Sequence, residues 1–146
     1  MLDVPGQVPG LIIVDHGSQR HAANDMLIAV AAMFQRVSRA AIVEPAHMEL
    51  AEPTIKQAFD KCVAQGATFI IVHPYFLAPG RHSTTDIPNL VAEAARKHPG
   101  IEFHVTQPLG LDEKLAHLMI QRVQECMDNG FRCESCRMHA NCGTIP

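Results

Sequence analysis

Two histidines frame the chemistry open to this chain. His16 directly follows the apolar run Leu11-Ile12-Ile13-Val14 and Asp15, and it precedes Gly17. A glycine there lets the backbone turn sharply and carry the imidazole toward a ligand. His82 lies in Leu77-Ala78-Pro79-Gly80-Arg81-His82-Ser83-Thr84-Thr85-Asp86, part of a connection that runs from His73 through Pro88. Connections of that length inside a compact domain are mostly functional. Alone, His16 reads as a strand-end histidine bonded to backbone. Two imidazoles on one edge shift that reading, because together they suit a borderline divalent ion such as ferrous iron, cobalt or nickel, and each titrates near neutrality.

Carboxylates and arginines accompany them. Glu49 and Glu52 are three residues apart, so one helical turn would set both on one face, where either could bind an ion or accept a proton. The competing reading has Glu52 capping the next helix and Glu49 solvated. Arg20 and Arg81 accompany His16 and His82 and make a locally basic site on a chain of net charge -3, which favours an anionic substrate. Either arginine by itself reads as a solvated loop residue. His47, near the end of a buried strand, reads as a satisfied core histidine, and His73 is comparable. His21, His98, His104, His117 and His139 have no converging partner and read as surface or packing residues.

The elements that position these groups follow from periodicity. Residues 11–14, 41–43 and 68–72 are short apolar runs rich in β-branched side chains, as strands buried on both faces are. Leu27, Val30, Ala31, Phe34 and Val37 recur at helical spacing, as do Ile55, Ala58, Phe59, Cys62 and Val63. Pro53 falls near a first helical turn and Gly66 follows the last periodic residue. A third helix is expected over 86–97 and a fourth strand over 101–106. Asp112 would cap a fourth helix through Leu115, Leu118, Met119, Val123 and Cys126. The order βαβαβαβα predicts an α/β fold: an open, mostly parallel four-stranded sheet with helices on both faces. Ligands of such sheets bind beyond the carboxyl ends of the strands, where the loops 15–18, 44–53, 73–88 and 107–110 fall.

At 146 residues the chain has room for one core. We divide it into a domain over 1–127 and a Cys-rich tail over 128–146. A hydrophobic share of 47% with 18% charged residues excludes wholesale disorder. The apolar runs are too short to span a membrane, and the negative charge argues against a nucleic-acid partner. No secretory signal precedes the first strand, so a reducing compartment is expected; a mature terminus lacking its targeting segment fits equally. Four of the five cysteines, Cys126, Cys133, Cys136 and Cys142, crowd the last residues. Zinc, an iron–sulfur cluster and disulfides all fit that bare spacing. A phosphate-binding flavodoxin-like protein is disfavoured because the first loop lacks the phosphate-cradling glycines. A non-catalytic metal carrier would use the same histidines.

Leu11 to Ser18, Val43 to Pro53, Phe76 to His82 with Thr85 to Pro88, and Pro108 to Gly110 jointly resemble the small, single-domain CbiX-type chelatases, specifically the plastid sirohydrochlorin ferrochelatases of plants and algae. The resemblance runs almost end to end. It implies a half-size chelatase fold acting as a homodimer, in the chloroplast stroma with the transit peptide absent, the cytoplasm being the alternative. The implied reaction inserts ferrous iron into sirohydrochlorin to form siroheme, with cobalt or nickel accepted in vitro and a sirohydrochlorin cobaltochelatase as the alternative. His16 matches the family's proton-accepting, metal-binding histidine and His82 its second metal histidine. Glu52 and Leu77, Ala78, Pro79, Gly80, Arg81 and His82 match substrate-binding positions, and Glu49 and Arg20 are weaker transfers. The tail cysteines are implied to carry an iron–sulfur cluster of the two-iron type. Sirohydrochlorin carries eight carboxylates, for which Arg20, Arg81 and helix N-termini are suitable partners.

Overall fold

The first apolar run forms β1 (Pro9–Asp15), whose central residues are all buried. It pairs in parallel with β2 (Ile42–His47) on one side and β3 (Phe69–Pro74) on the other, and β3 pairs in parallel with β4 (Glu102–Val105). The sheet order is β2-β1-β3-β4. The computed structural model describes residue 2, residues 4–132 and residue 134. The chain divides into two units, residues 1–110 and residues 111–146, each described by itself.

Alternate residues of β1 serve opposite faces, as the period of two requires. Ile12 and Val14 pack with Ile70 and Val72 of β3 against α2 (Ile55–Ala64) and α3 (Ile87–Ala95). Leu11 and Ile13 pack with Val43 against Leu27 and Ala31 of α1 (His21–Ser38). Helices therefore cover both faces, and the continuous apolar character of β1 follows from that. A Cβ on Gly10 would stand 2.7 Å from Ile70 Cδ1 and 2.9 Å from Cys62 Cβ, so this glycine lets α2 approach β1 closely.

Strand β2 is an edge, and its sequence protects it. Pro45 has no N–H to offer a further strand, and Glu44 is buried between Lys61 Nζ at 2.8 Å and Gln65 Nε2 at 2.6 Å. Both β2 and β3 run past their apolar stretches into the segments expected as loops, so that His47 ends β2 and His73 lies within β3 just before its last residue, Pro74.

The cap of α2 differs from the expectation for Glu52. Thr54 is the N-cap: its hydroxyl accepts from Gln57 N–H at 3.2 Å, and Gln57 Oε1 accepts from Thr54 N–H at 2.8 Å. This is a capping box, the Thr-x-x-Gln spacing leaving two otherwise orphaned N–H groups satisfied. Pro53 lies ahead of the helix, joined to Glu52 by a cis peptide bond. The third helical segment starts earlier than expected, with a single π turn at His82–Asp86 leading into α3.

In the second unit, α4 (Glu113–Asp128) begins where expected, with the Asp112 carboxylate accepting from Lys114 N–H at 2.8 Å. Among the described residues no helix is long and apolar enough to cross a membrane.

Candidate active site

His16, Glu49 and His82 come together at the carboxyl edge of the sheet, within the first unit. His16 Nε2 stands 2.9 Å from Glu49 Oε1, and the His16 and His82 rings meet edge to face with centroids 4.9 Å apart. Met48, Glu49, His82, Asp86, Asn89 and Leu90 line a cleft of about 350 Å³ beside them. Among the described residues no set of three or more His, Cys, Asp or Glu side chains is already arranged to hold a metal ion. An ion arriving between the two histidines must first displace the His16–Glu49 bond.

Hydrogen-bond partners assign the tautomers. His82 Nδ1 lies 2.9 Å from Asp86 Oδ2 and donates to it, which leaves Nε2 as the lone pair available to an ion. The π turn makes this contact, because His82 and Asp86 are its first and last residues. Single π turns recur at functional sites. His16 Nδ1 lies 3.1 Å from Gly17 O, which can only accept. Nδ1 therefore carries the hydrogen, and the close approach of His16 Nε2 to Glu49 Oε1 requires those two groups to share one further proton.

The loops are laced backbone to backbone. Met48 N–H donates to Asp15 O at 2.8 Å and Glu49 N–H to His16 O at 3.0 Å. Gly17 turns with φ +87, and a Cβ there would stand 1.9 Å from Glu49 O, so glycine is required twice over. Leu50, exposed beside Glu49, is held at φ 67, a conformation that costs leucine on the order of 1 kcal/mol and that no sequence signal marked.

Other expected residues stand apart. Glu52 accepts from Gln57 Nε2 at 3.1 Å and lines a cleft on the β2 edge with Glu44, Pro45 and Lys61. Leu77, Ala78, Pro79, Gly80 and Arg81 form an exposed loop tied to residues 107–110 by Leu109 N–H to Phe76 O and Gly110 N–H to Leu77 O. The buried Ser83 hydroxyl anchors that loop by accepting from Gly80 N–H at 3.0 Å. Pro79, Ser83, Thr84, Thr106 and Gln107 border an adjoining cleft of about 550 Å³. Arg81 is exposed, its Nε 3.9 Å from Asp86 Oδ1, and Arg20 is an exposed residue at the start of α1. Cys126 lies on α4, whereas Cys133, Cys136 and Cys142 lie outside the described residues.

The individual sequence readings missed Asp15 and Asp86 as partners of the histidines. Their only signal was position: Asp15 precedes His16, and Asp86 follows His82 by four residues, within reach on one helical face.

Comparison with known proteins places this geometry. The sequence model of the CbiX family matches residues 10–126. The chain is 50% identical over 124 residues to the chloroplastic sirohydrochlorin ferrochelatase of Arabidopsis thaliana, covering 85% of this chain and 55% of that protein. It is 32% identical to the sirohydrochlorin cobaltochelatase of Methanocaldococcus jannaschii, covering 77% of this chain and 95% of that one. The structure of SirB from Bacillus subtilis with Fe3+ superposes with a TM-score of 0.76 at 30% identity, over 81% of this chain and 47% of that one. The chain thus spans about half the length of two of these relatives and nearly all of the third. With a matching family model across the whole sheet and its loops, the chain belongs to the CbiX family.

Proposed function

We propose that the chain is a metal-ion chelatase, a lyase that inserts ferrous iron into sirohydrochlorin with release of two pyrrole protons. The observation that carries this reading is the convergence of His16, His82 and Glu49, with His16 Nε2 2.9 Å from Glu49 Oε1. The ion is a substrate here, received by His82 Nε2 and His16 Nε2. When it takes His16 Nε2, the shared proton leaves to solvent and the Glu49 carboxylate is freed to accept one pyrrole proton, and as the ion passes to the ring nitrogens the vacated His16 Nε2 accepts the second. The exposed loop 77–82 would meet the macrocycle, with Arg20 and Arg81 for its carboxylates and Glu52 at the rim.

Half of the Arabidopsis relative's length and its name support a plastid setting and iron as the metal. A cobaltochelatase is the second reading, supported by the name of the Methanocaldococcus relative and by a ligand set that does not select against cobalt. We further propose a homodimer, and an iron–sulfur cluster on Cys126, Cys133, Cys136 and Cys142, on the strength of the sequence resemblance.

The test is metallation of sirohydrochlorin followed by absorbance. His16→Ala and His82→Ala should each lower turnover by about 10²-fold or more with the far-ultraviolet circular dichroism unchanged. Near-normal turnover in either variant would remove the reading, and so would iron binding without metallation, the behaviour of a carrier.

A further inference from the structure

His47 is fully buried at the end of β2, directly across the parallel ladder from Asp15. Its ring makes one polar bond: Nδ1 lies 2.6 Å from Asp15 Oδ1, while Nε2, also buried, has no hydrogen-bond partner among the described residues. It is therefore half satisfied, where the sequence reading expected a satisfied core histidine. A leucine would fill the volume without orphaning a ring nitrogen, so packing does not account for an imidazole at this position.

What accounts for it is the second bond on Asp15. The same Oδ1 accepts from Gly17 N–H at 2.9 Å, and Gly17 O in turn accepts from His16 Nδ1 at 3.1 Å. A continuous chain thus runs from His47 Nδ1–H through the Asp15 carboxylate and the Gly17 peptide to His16 Nδ1–H, with His16 Nε2 left facing Glu49. The carboxylate bonds both donors at once only if its side chain stays in this rotamer, and the His47 donor holds it there from below. That orients the Gly17 peptide, and the orientation of Gly17 O selects the His16 tautomer.

We propose that Asp15, held by the buried His47, is a positioning device that fixes His16 in the Nδ1–H tautomer, presenting Nε2 to the incoming divalent ion. The inference rests on the proposed chelatase site, although its structural core does not depend on the reaction. Buried partners of this kind tune how well a metal-binding histidine works, and losing one costs roughly 10–100-fold in metal affinity.

Two replacements separate the donor from mere volume. Asparagine sets an amide N–H near the position of the histidine Nδ1 and should still reach Asp15; leucine fills space and donates nothing. The full chain would be titrated with Co2+ alone, and the ring nitrogens of His16 read by 15N NMR in the metal-free protein. The wild type should show a proton on His16 Nδ1, with Nε2 either bare or sharing its proton with Glu49. His47→Leu should bind Co2+ roughly 10–100-fold more weakly, with mixed His16 tautomers, lower kcat and an unchanged KM for sirohydrochlorin. His47→Asn should stay within about threefold of wild type in each respect. Equal impairment in both variants, or wild-type behaviour of His47→Leu, overturns the proposal. If the leucine variant does not fold, His47→Gln, whose amide lies beyond the Nδ1 position, replaces it in the contrast. A wild-type His16 found with a bare Nδ1 overturns the proposal without any variant. Failure of His16→Ala to affect Co2+ binding or turnover, by contrast, removes the chelatase reading and leaves the tautomer result standing.

Discussion

Each of the two central histidines is defined by what its second nitrogen touches. For His82 that partner is Asp86, at the far end of the π turn. Asp86 makes no side-chain cap for α3, so its removal should spare the helix and act chiefly on His82, at 2.9 Å, with only the long 3.9 Å contact to exposed Arg81 lost besides. Asp86→Ala is expected to weaken Co2+ or Fe2+ binding about 10–100-fold while the KM for the tetrapyrrole and the melting temperature hold, as titration, kinetics and calorimetry would show. Loss of stability in place of affinity would mean that Asp86 serves the fold. Elsewhere a thiol is kept out of the chemistry: burial, reinforced by the Glu44 charge, pushes Cys62 up to about 12 against the weaker pull of Lys61. Cys62 is inert packing between α2 and β1.

Individual elements carry the site by their ends. Helix α2 is capped by Thr54, and the residue just before the cap ties the Glu49 loop back to the end of β2. His47 N–H donates to Pro53 O at 2.7 Å. Because the capping box belongs to Thr54 and Gln57, Thr54→Ala should cost about 1 kcal/mol of stability and lower the melting temperature by a few degrees, whereas Glu52→Ala should change stability by less than about 0.5 kcal/mol. Thermal unfolding of the two variants side by side decides this, and a Glu52 effect as large as that of Thr54 would restore glutamate as the cap. The exposed Glu52–Gln57 contact is of the kind that contributes little.

For the whole molecule, His73 couples stability to pH. It lies next to the end of β3 with Nδ1 2.7 Å from Thr106 Oγ1, and the Thr106 hydroxyl donates to Gln107 O, so His73 Nδ1 must donate. Beside it lie Ile13, Phe34 and Tyr75, and burial holds the His73 imidazolium below its ordinary 6.5. Below that value the unfolded chain binds the proton more readily than the folded one, so acidification favours unfolding. The urea midpoint should therefore fall from about pH 6.5 downward, and less steeply in His73→Leu; equal slopes would exclude His73 as a source. The cysteines admit a separate test. The proposed catalytic groups all lie in residues 1–110 and the four clustered cysteines in residues 111–146. Cys133→Ser combined with Cys136→Ser should abolish an iron–sulfur absorbance and leave substantial metal insertion under reducing conditions. Complete loss of insertion with the fold retained would tie the cluster to the reaction.

The sequence by itself determined the order of elements, the parallel sheet and the loops that carry the chemistry, because strands buried on both faces must be continuously apolar and amphipathic helices must repeat every three to four residues. It also singled out His16 and His82, whose loops share one edge in any such sheet. Strand ends were less legible: Glu44, Pro45, His47 and His73 look like loop residues, yet ladder hydrogen bonds are indifferent to side-chain polarity and carry β2 and β3 through them. Only the tertiary structure decided the partners. That Glu49 meets His16 while Glu52 turns to Gln57, and that Asp15 joins His47 to Gly17, depends on β1 and β2 lying in register with Asp15 opposite His47. Those residues are some thirty positions apart in the chain, and no local spacing encodes the alignment of two strands across that distance.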